Sequence, residues 1–199
     1  MGIDGGIKEL FMGVRKEVRE TDIRREAANF VGSSEGIRAL RGGLENLYNG
    51  RSSGEALTRF QEVLDREGVV VAVDEEGLYS GKKGELYTYD ENQVRVKRIK
   101  ESRRGNKFVM IIHPEAYRKM KEGSMDQVEE LNFLWDLAHD YNAIESEKRY
   151  GSRENKAFTP FVHWADYFII RNMEGSEAAE EAAGILDRAR RTTERYLGK

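Results

Sequence analysis

The chain has no cysteine in its 199 residues. That removes disulfides, thiol nucleophiles and zinc–thiolate sites from consideration. Proline is almost as scarce: Pro114 and Pro160 are the only two. Thr159-Pro160 has the form of a helix start, a hydroxyl to cap free N–H groups followed by a ring whose φ suits the first turn. No apolar run approaches the roughly 20 residues that cross a bilayer. The opening Met-Gly-Ile-Asp-Gly-Gly lacks a basic stretch followed by an apolar core. The expectation is a soluble cytoplasmic protein with no membrane partner. A P-loop, a Gly-x-Gly-x-x-Gly after a strand and a Gly-x-Ser-x-Gly turn are also missing. No cofactor is implied.

What the chain does have is charge and periodicity. Charged residues make up 35% and hydrophobic ones 39%, and the apolar residues recur at regular spacing, which a disordered chain has no need of. Richness in Glu, Lys and Arg without cysteine resembles a thermophile-like composition. The net charge of −3 is unevenly spread. Between Arg95 and Lys107 stand Arg95, Lys97, Arg98, Lys100, Arg103, Arg104 and Lys107 against Glu101, a local balance of +6 that leaves −9 for the remainder. This segregation is the strongest compositional pointer to a partner.

The order of elements follows from the apolar spacing. Stripes at Ile7, Leu10, Phe11, Val14 and Val18, at Ile23, Ala27, Phe30 and Val31, at Ile37, Leu40, Leu44 and Leu47, and at Leu57, Phe60, Val63 and Leu64 predict four short amphipathic helices in the first 67 residues. Gly42-Gly43 inside the third costs about 1 kcal/mol per glycine relative to alanine, which a kink or a close helix crossing would explain. Ser52-x-x-Glu55 and Ser124-x-x-Gln127 have the reciprocal capping spacing. From Gly68 to His113 the pattern changes to short β-branched and aromatic runs separated by polar turns, which predicts an antiparallel β-meander. Helices return after His113-Pro114. The predicted long helix carries Val128, Leu131, Leu134, Trp135, Leu137, Ala138, Tyr141 and Ile144, followed at 145–156 by an exposed loop or a frayed helix end. The segment from Ala157 to Ile170 is apolar nearly all round and is expected as a buried central helix. An alanine-rich helix at 176–197 closes the chain.

The fold class expected is α+β: a predominantly helical bundle made from both chain ends, with a small antiparallel β-meander inserted in the middle. Its divisions are residues 1–67, 68–113 and 114–199, forming one composite domain.

Three groups of residues are candidates for function. The first is a basic hairpin, with Arg95 and Lys97 on one strand face, Arg98, Lys100 and Lys107 along it, and Arg103 and Arg104 at its tip. Such a ribbon suits a phosphate backbone, and Tyr87 and Tyr89 offer stacking surfaces on the neighbouring strand. The corresponding expectation is a non-catalytic nucleic-acid-binding or complex-forming subunit, or one that meets an acidic protein partner. The plain alternative is an edge strand kept soluble by charge. A structural protein that assembles into homo- or hetero-oligomers through its alanine-rich last helix is a further reading.

The second group is the histidines: His113, His139 and His163 are the only ones. The order His113, His139-Asp140, Asp166 resembles the metal-ligand order of the HD phosphohydrolase family. That resemblance implies a metal-dependent phosphohydrolase using His139, Asp140 and Asp166. Ordinary surface placement of the His-Asp pair accounts for the same residues, and no metal site is assigned from the sequence itself. The third group is His163 with Asp166, three positions apart on one helix. A buried carboxylate there needs a cation or a hydrogen-bond donor, with Arg171 and Lys156 as the expected suppliers.

Overall fold

A computed structural model of the chain describes residues 19–74, 94–101, 105–151 and 155–173, with backbone only over 94–101 and 105–107. Six helices and three strands lie within them: α1 (Glu20–Ser33), α2 (Glu35–Tyr48), α3 (Gly54–Arg66), β1 (Val70–Val73), β2 (Val94–Glu101), β3 (Gly105–Ile112), α4 (Pro114–Glu122), α5 (Gln127–Tyr150) and α6 (Phe158–Arg171). The predicted helix at 7–18, the runs at 78–79 and 85–89 with Tyr87 and Tyr89, the turn with Arg103 and Arg104, and the alanine-rich helix at 176–197 lie outside the described residues.

The mostly helical α+β character holds, but the purely antiparallel meander does not. The strand order is β1-β3-β2. β1 runs parallel to β3, pairing Val70 with Val109 and Val73 with Ile112. β2 runs antiparallel to β3, from Val94 opposite Ile112 to Glu101 opposite Gly105. Two strands joined by a polar turn imply a hairpin only when they pair with each other. β3 pairs with β2 and also with β1, so it is the central strand, and its residues 108–112 are buried, as suits a strand covered on both faces.

The helices form by the expected stripes. Ile23, Ala27, Phe30 and Val31 are buried on α1, and Ile37, Leu40, Leu44 and Leu47 on α2. α1 lies against α6, α2 against α3 and α5, and α5 against α6. One apolar cluster runs through all of these, and Met110 and Ile112 of β3 join it. At fully buried Leu40, Phe133 and Phe161, each side chain contributes about 1.5–3 kcal/mol by leaving water. The two adjacent glycines of α2 divide the explanations offered above. A Cβ on Gly43 would stand 3.0 Å from the Cβ of Ala56 and 3.1 Å from Cδ1 of Leu134, whereas one on Gly42 would meet nothing within 4 Å. Gly43 serves a close crossing of α2 with α3 and α5; Gly42 serves no contact.

Several local expectations need correction. The capping box of α5 is Asp126 with Glu129, not Ser124 with Gln127: the Glu129 N–H donates to Asp126 Oδ1 at 2.8 Å and the Asp126 N–H donates to Glu129 Oε2 at 3.1 Å. α3 starts at Gly54 rather than through a Ser52–Glu55 box; the Gly54 N–H donates to Ser52 Oγ at 3.2 Å, and buried Ser53 turns its hydroxyl to Glu130 instead. α6 starts at Phe158, one residue before Thr159-Pro160. Of the two readings of 145–156, exposed loop or helix end, the second holds as far as Tyr150. Its polar residues are consumed by tertiary contacts, with the Tyr150 hydroxyl donating to Glu26 on α1 and the Ser146 hydroxyl to the Phe158 carbonyl. Val128, assigned to the apolar face, is 65% exposed. α6 itself is buried along Phe158, Phe161, Val162, Ala165, Ile169 and Ile170, while His163, Trp164, Tyr167 and Phe168 are half-buried.

Candidate functional site: a basic ribbon and a His–Asp latch

The ladder register fixes how the ribbon's cations are distributed. Directly opposite residues of an antiparallel pair share a face. Arg95 stands opposite Ile111 and Lys97 opposite Val109, and Lys107 stands opposite Ile99 on that same face. Arg98 opposite Phe108 and Lys100 opposite Asn106 belong to the other face, the one with Met110 and Ile112. The cations therefore divide between both faces. β1 reaches only Val109–Ile112 of β3. Residues Gly105–Phe108 pair with Arg98–Glu101 alone, so among the described residues the sheet narrows to a two-stranded ribbon where the cations are densest. β2 also lies against α5, which carries Asp136 and Asp140 one turn apart.

The second arrangement joins α5 to α6. His139 Nδ1 lies 2.8 Å from Asp166 Oδ2, and the Asn142 side-chain amide donates to Asp166 Oδ1 at 2.7 Å. The Asp166 side chain is 6% exposed and that of His139 is 50% exposed. Asn142 is fully buried. α5 presents His139 and Asn142 together because positions three apart share a helix face. Asp166 faces them because its neighbours Ala165 and Ile169 turn the same side of α6 into the core.

The negative charge of Asp166 pushes His139 up to about 9, against an opposing effect of burial; Asp140 and Asp136 add to the rise. At neutral pH the ring is an imidazolium whose Nδ1–H donates to the carboxylate. Half-buried His163, with ring centroids 6.4 Å away, goes the other way: burial favours its neutral form and the His139 charge adds to that, partly offset by Asp166. One carboxylate thus receives a cation and an amide donor, as a buried charge requires. The suppliers are His139 and Asn142, not Arg171 or Lys156; Arg171 instead reaches the Tyr167 hydroxyl at 3.5 Å.

Of the order that resembles the HD family, the fold brings together His139 and Asp166 only. His113 is the N-cap of α4, its Nδ1 accepting the Glu115 N–H at 3.2 Å, a role in capping a helix end. Asp140 follows His139 on α5 and is partly buried. Among the described residues no group of three or more His, Asp or Glu side chains is arranged to hold a metal ion. His139 would also have to release a proton to become a ligand at neutral pH. The chemistry this arrangement performs on its own residues is that of a latch, a charge-assisted tie between two helices.

No protein-family model matches this chain, and neither does any curated protein or solved structure. Function rests on the geometry alone.

Two features escaped the sequence. Asn142 is a polar residue at a core position of a mostly apolar face, one turn after Ala138, and that misfit was a legible signal. Arg24 lies 4.5 Å from the Trp164 ring centroid, a cation–π contact between α1 and α6 that has no sequence signature. Two buried atoms, Asn142 Oδ1 and Trp164 Nε1, have no hydrogen-bond partner among the described residues.

Proposed function

We propose that this protein is a non-catalytic nucleic-acid-binding or complex-forming subunit that contacts phosphates through the hairpin containing β2 and β3. The helices from both ends of the chain are its bundle-like support. The observation that carries the reading is the register: beyond the reach of β1, the ribbon consists of Arg98–Glu101 paired with Gly105–Phe108. A two-stranded ribbon of this kind fits a nucleic-acid groove. Cations on both of its faces suit a backbone that it enters rather than one that it lies beside.

Seven cations over Arg95–Lys107 exceed what protection of an edge strand needs. Neutralising phosphates releases condensed counterions, so binding must weaken steeply with salt. Six to ten phosphate contacts correspond to a loss of about 10³–10⁵ in affinity between 50 and 200 mM salt. The test is a fluorescence-anisotropy titration of single-stranded and duplex oligonucleotides at those two concentrations, with the chain and its Arg103→Glu/Arg104→Glu variant. The expected result is salt-sensitive binding that the double reversal removes. Absence of binding at the lower concentration, or equal affinity in the variant, overturns the reading. Retention of an acidic protein in its place, lost in the same variant, would assign the ribbon to a protein partner.

A further inference from the structure

Two histidines converge on one carboxylate at the α5–α6 seam. From α5, His139 holds Asp166 Oδ2 at 2.8 Å and Asn142 donates to Oδ1 at 2.7 Å. His163 comes from α6 itself, three positions before Asp166 and on a neighbouring part of the helix. Its ring centroid lies 6.4 Å from that of His139. Asp166 acts on both rings. Each of its oxygens already accepts a donor, and its side chain is 6% exposed, so water screens little of what arrives there. The seam is balanced for one cation.

The charges on the packed elements do not prepare it for a second. On α6, Asp166 is followed by Arg171. α1, packed on α6, sets Arg24 over the Trp164 ring at 4.5 Å, next to His163 in the chain. Its Asp22 is paired with Arg25, and its Glu26 with the Tyr150 hydroxyl. β2, packed on α5, carries Arg95, Lys97, Arg98 and Lys100 against Glu101. Asp136 and Asp140 of α5 favour the charge on His139, which keeps the resident cation in place. Burial and that same charge hold His163 neutral near pH 7.

We propose that the seam is an acid-sensitive release: a proton on His163 sets a second imidazolium beside the first, weakens the His139–Asp166 tie and opens α6 from α5 before the rest of the bundle yields. The carboxylate that matched one cation must then serve two like charges that face each other across the seam. α6 is the element that opens, because it carries both the new cation and the shared carboxylate. An ordinary histidine takes its proton near 6.5; His163 in the fold takes it lower, so the seam weakens as pH falls through that lowered value. The coupling is reciprocal. Removing the His139 charge leaves Asp166 to His163 and makes His163 easier to protonate. The release operates whatever the ribbon binds.

The test uses the full chain, ¹⁵N-labelled, from about pH 7.5 down to the onset of global unfolding. The His163 ring titration and amide hydrogen exchange are read in the same samples, with exchange expressed as protection relative to an unstructured chain. Protection at Ala165 and Ile169 of α6 should fall at least tenfold as His163 takes up its proton, while Leu40 and Leu44 of α2 keep theirs. His163→Gln should remove that fall. In His139→Gln the His163 titration should move up and its hold on α6 exchange should weaken. Any of four outcomes overturns the proposal: His163 still neutral when global unfolding sets in; His163 protonated with α6 protection unchanged; the same fall in His163→Gln, or, if that variant does not fold, an unraised His163 titration in His139→Gln; or loss at Leu40 and Leu44 together with α6, which is ordinary acid unfolding.

Discussion

The α5–α6 seam and the β2–β3 ribbon handle charge in opposite ways. In the seam a single buried carboxylate, Asp166, is met by His139 at 2.8 Å and Asn142 at 2.7 Å, and the ionisation of the histidine shifts to suit. In the ribbon, seven cations share thirteen positions with one glutamate, and the ladder divides the five on the described strands between both faces. The lesson is that charge serving the fold is assembled from distant positions and matched. The charge of the ribbon, by contrast, is clustered in one short stretch of the chain, with one glutamate among seven cations.

The strongest way to break this comparison is Asp166→Ala. It leaves the Asn142 amide without its acceptor and His139 without its counter-ion. His139 is half exposed and can discharge its proton, so the cost falls below that of a fully buried broken pair, at about 2–3 kcal/mol in urea unfolding. The His139 titration, followed by NMR, should return toward the ordinary value near 6.5. An unchanged unfolding midpoint would show that the seam does not depend on its charge. Gly36→Ala probes the packing beneath. Its Cβ would stand 2.8 Å from the Tyr141 ring, whose hydroxyl is tied to Glu67 at 2.7 Å. The expected cost is about 2 kcal/mol by the same measurement.

Next in size is the pH dependence. The folded-state pKa of His139 lies above its unfolded value, at about 9 against 6.5. Its contribution is therefore complete below pH 6.5 and lost as pH rises to 9. Solvent screening at the half-exposed ring limits the loss to about 1–2 kcal/mol. His163 is shifted downward, so its contribution is present above 6.5 and lost as pH falls through its lowered value. Denaturant midpoints should decline on both sides, and Asp166→Asn should flatten the alkaline limb. Gly42→Ala is the favourable counterpart: with open space around the added methyl, it should stabilise by about 0.5–1 kcal/mol. On the ribbon, Arg98→Ser with Lys100→Ser should move stability least, by under about 0.5 kcal/mol. A larger loss would mean that those cations serve the fold in the manner of the seam.

Much of the helical layout was legible, because apolar spacing of three and four encodes a buried stripe directly. The stripes of α1, α2 and α3 carried their core residues in advance, and Gly123 was legible as the end of α4, where it adopts φ 63°. Caps were less legible. Ser, Asp, Glu and Gln recur often enough that Ser124-x-x-Gln127 and Asp126-x-x-Glu129 compete, and the geometry of the first turn selects one. Strand partnership was not legible, since alternation tells which face a residue takes and nothing of which strand lies alongside.

By itself the sequence determined the helical stripes, the cation cluster of Arg95–Lys107 and the absence of thiol chemistry. These depend on local period and composition alone. The tertiary structure decided that β3 stands between β1 and β2, that Gly43 but not Gly42 is a crossing point, and that Asp166 belongs to His139 and Asn142. Each of these is a contact between residues many positions apart, and only packing determines which of several chemically suitable partners arrives within hydrogen-bond range.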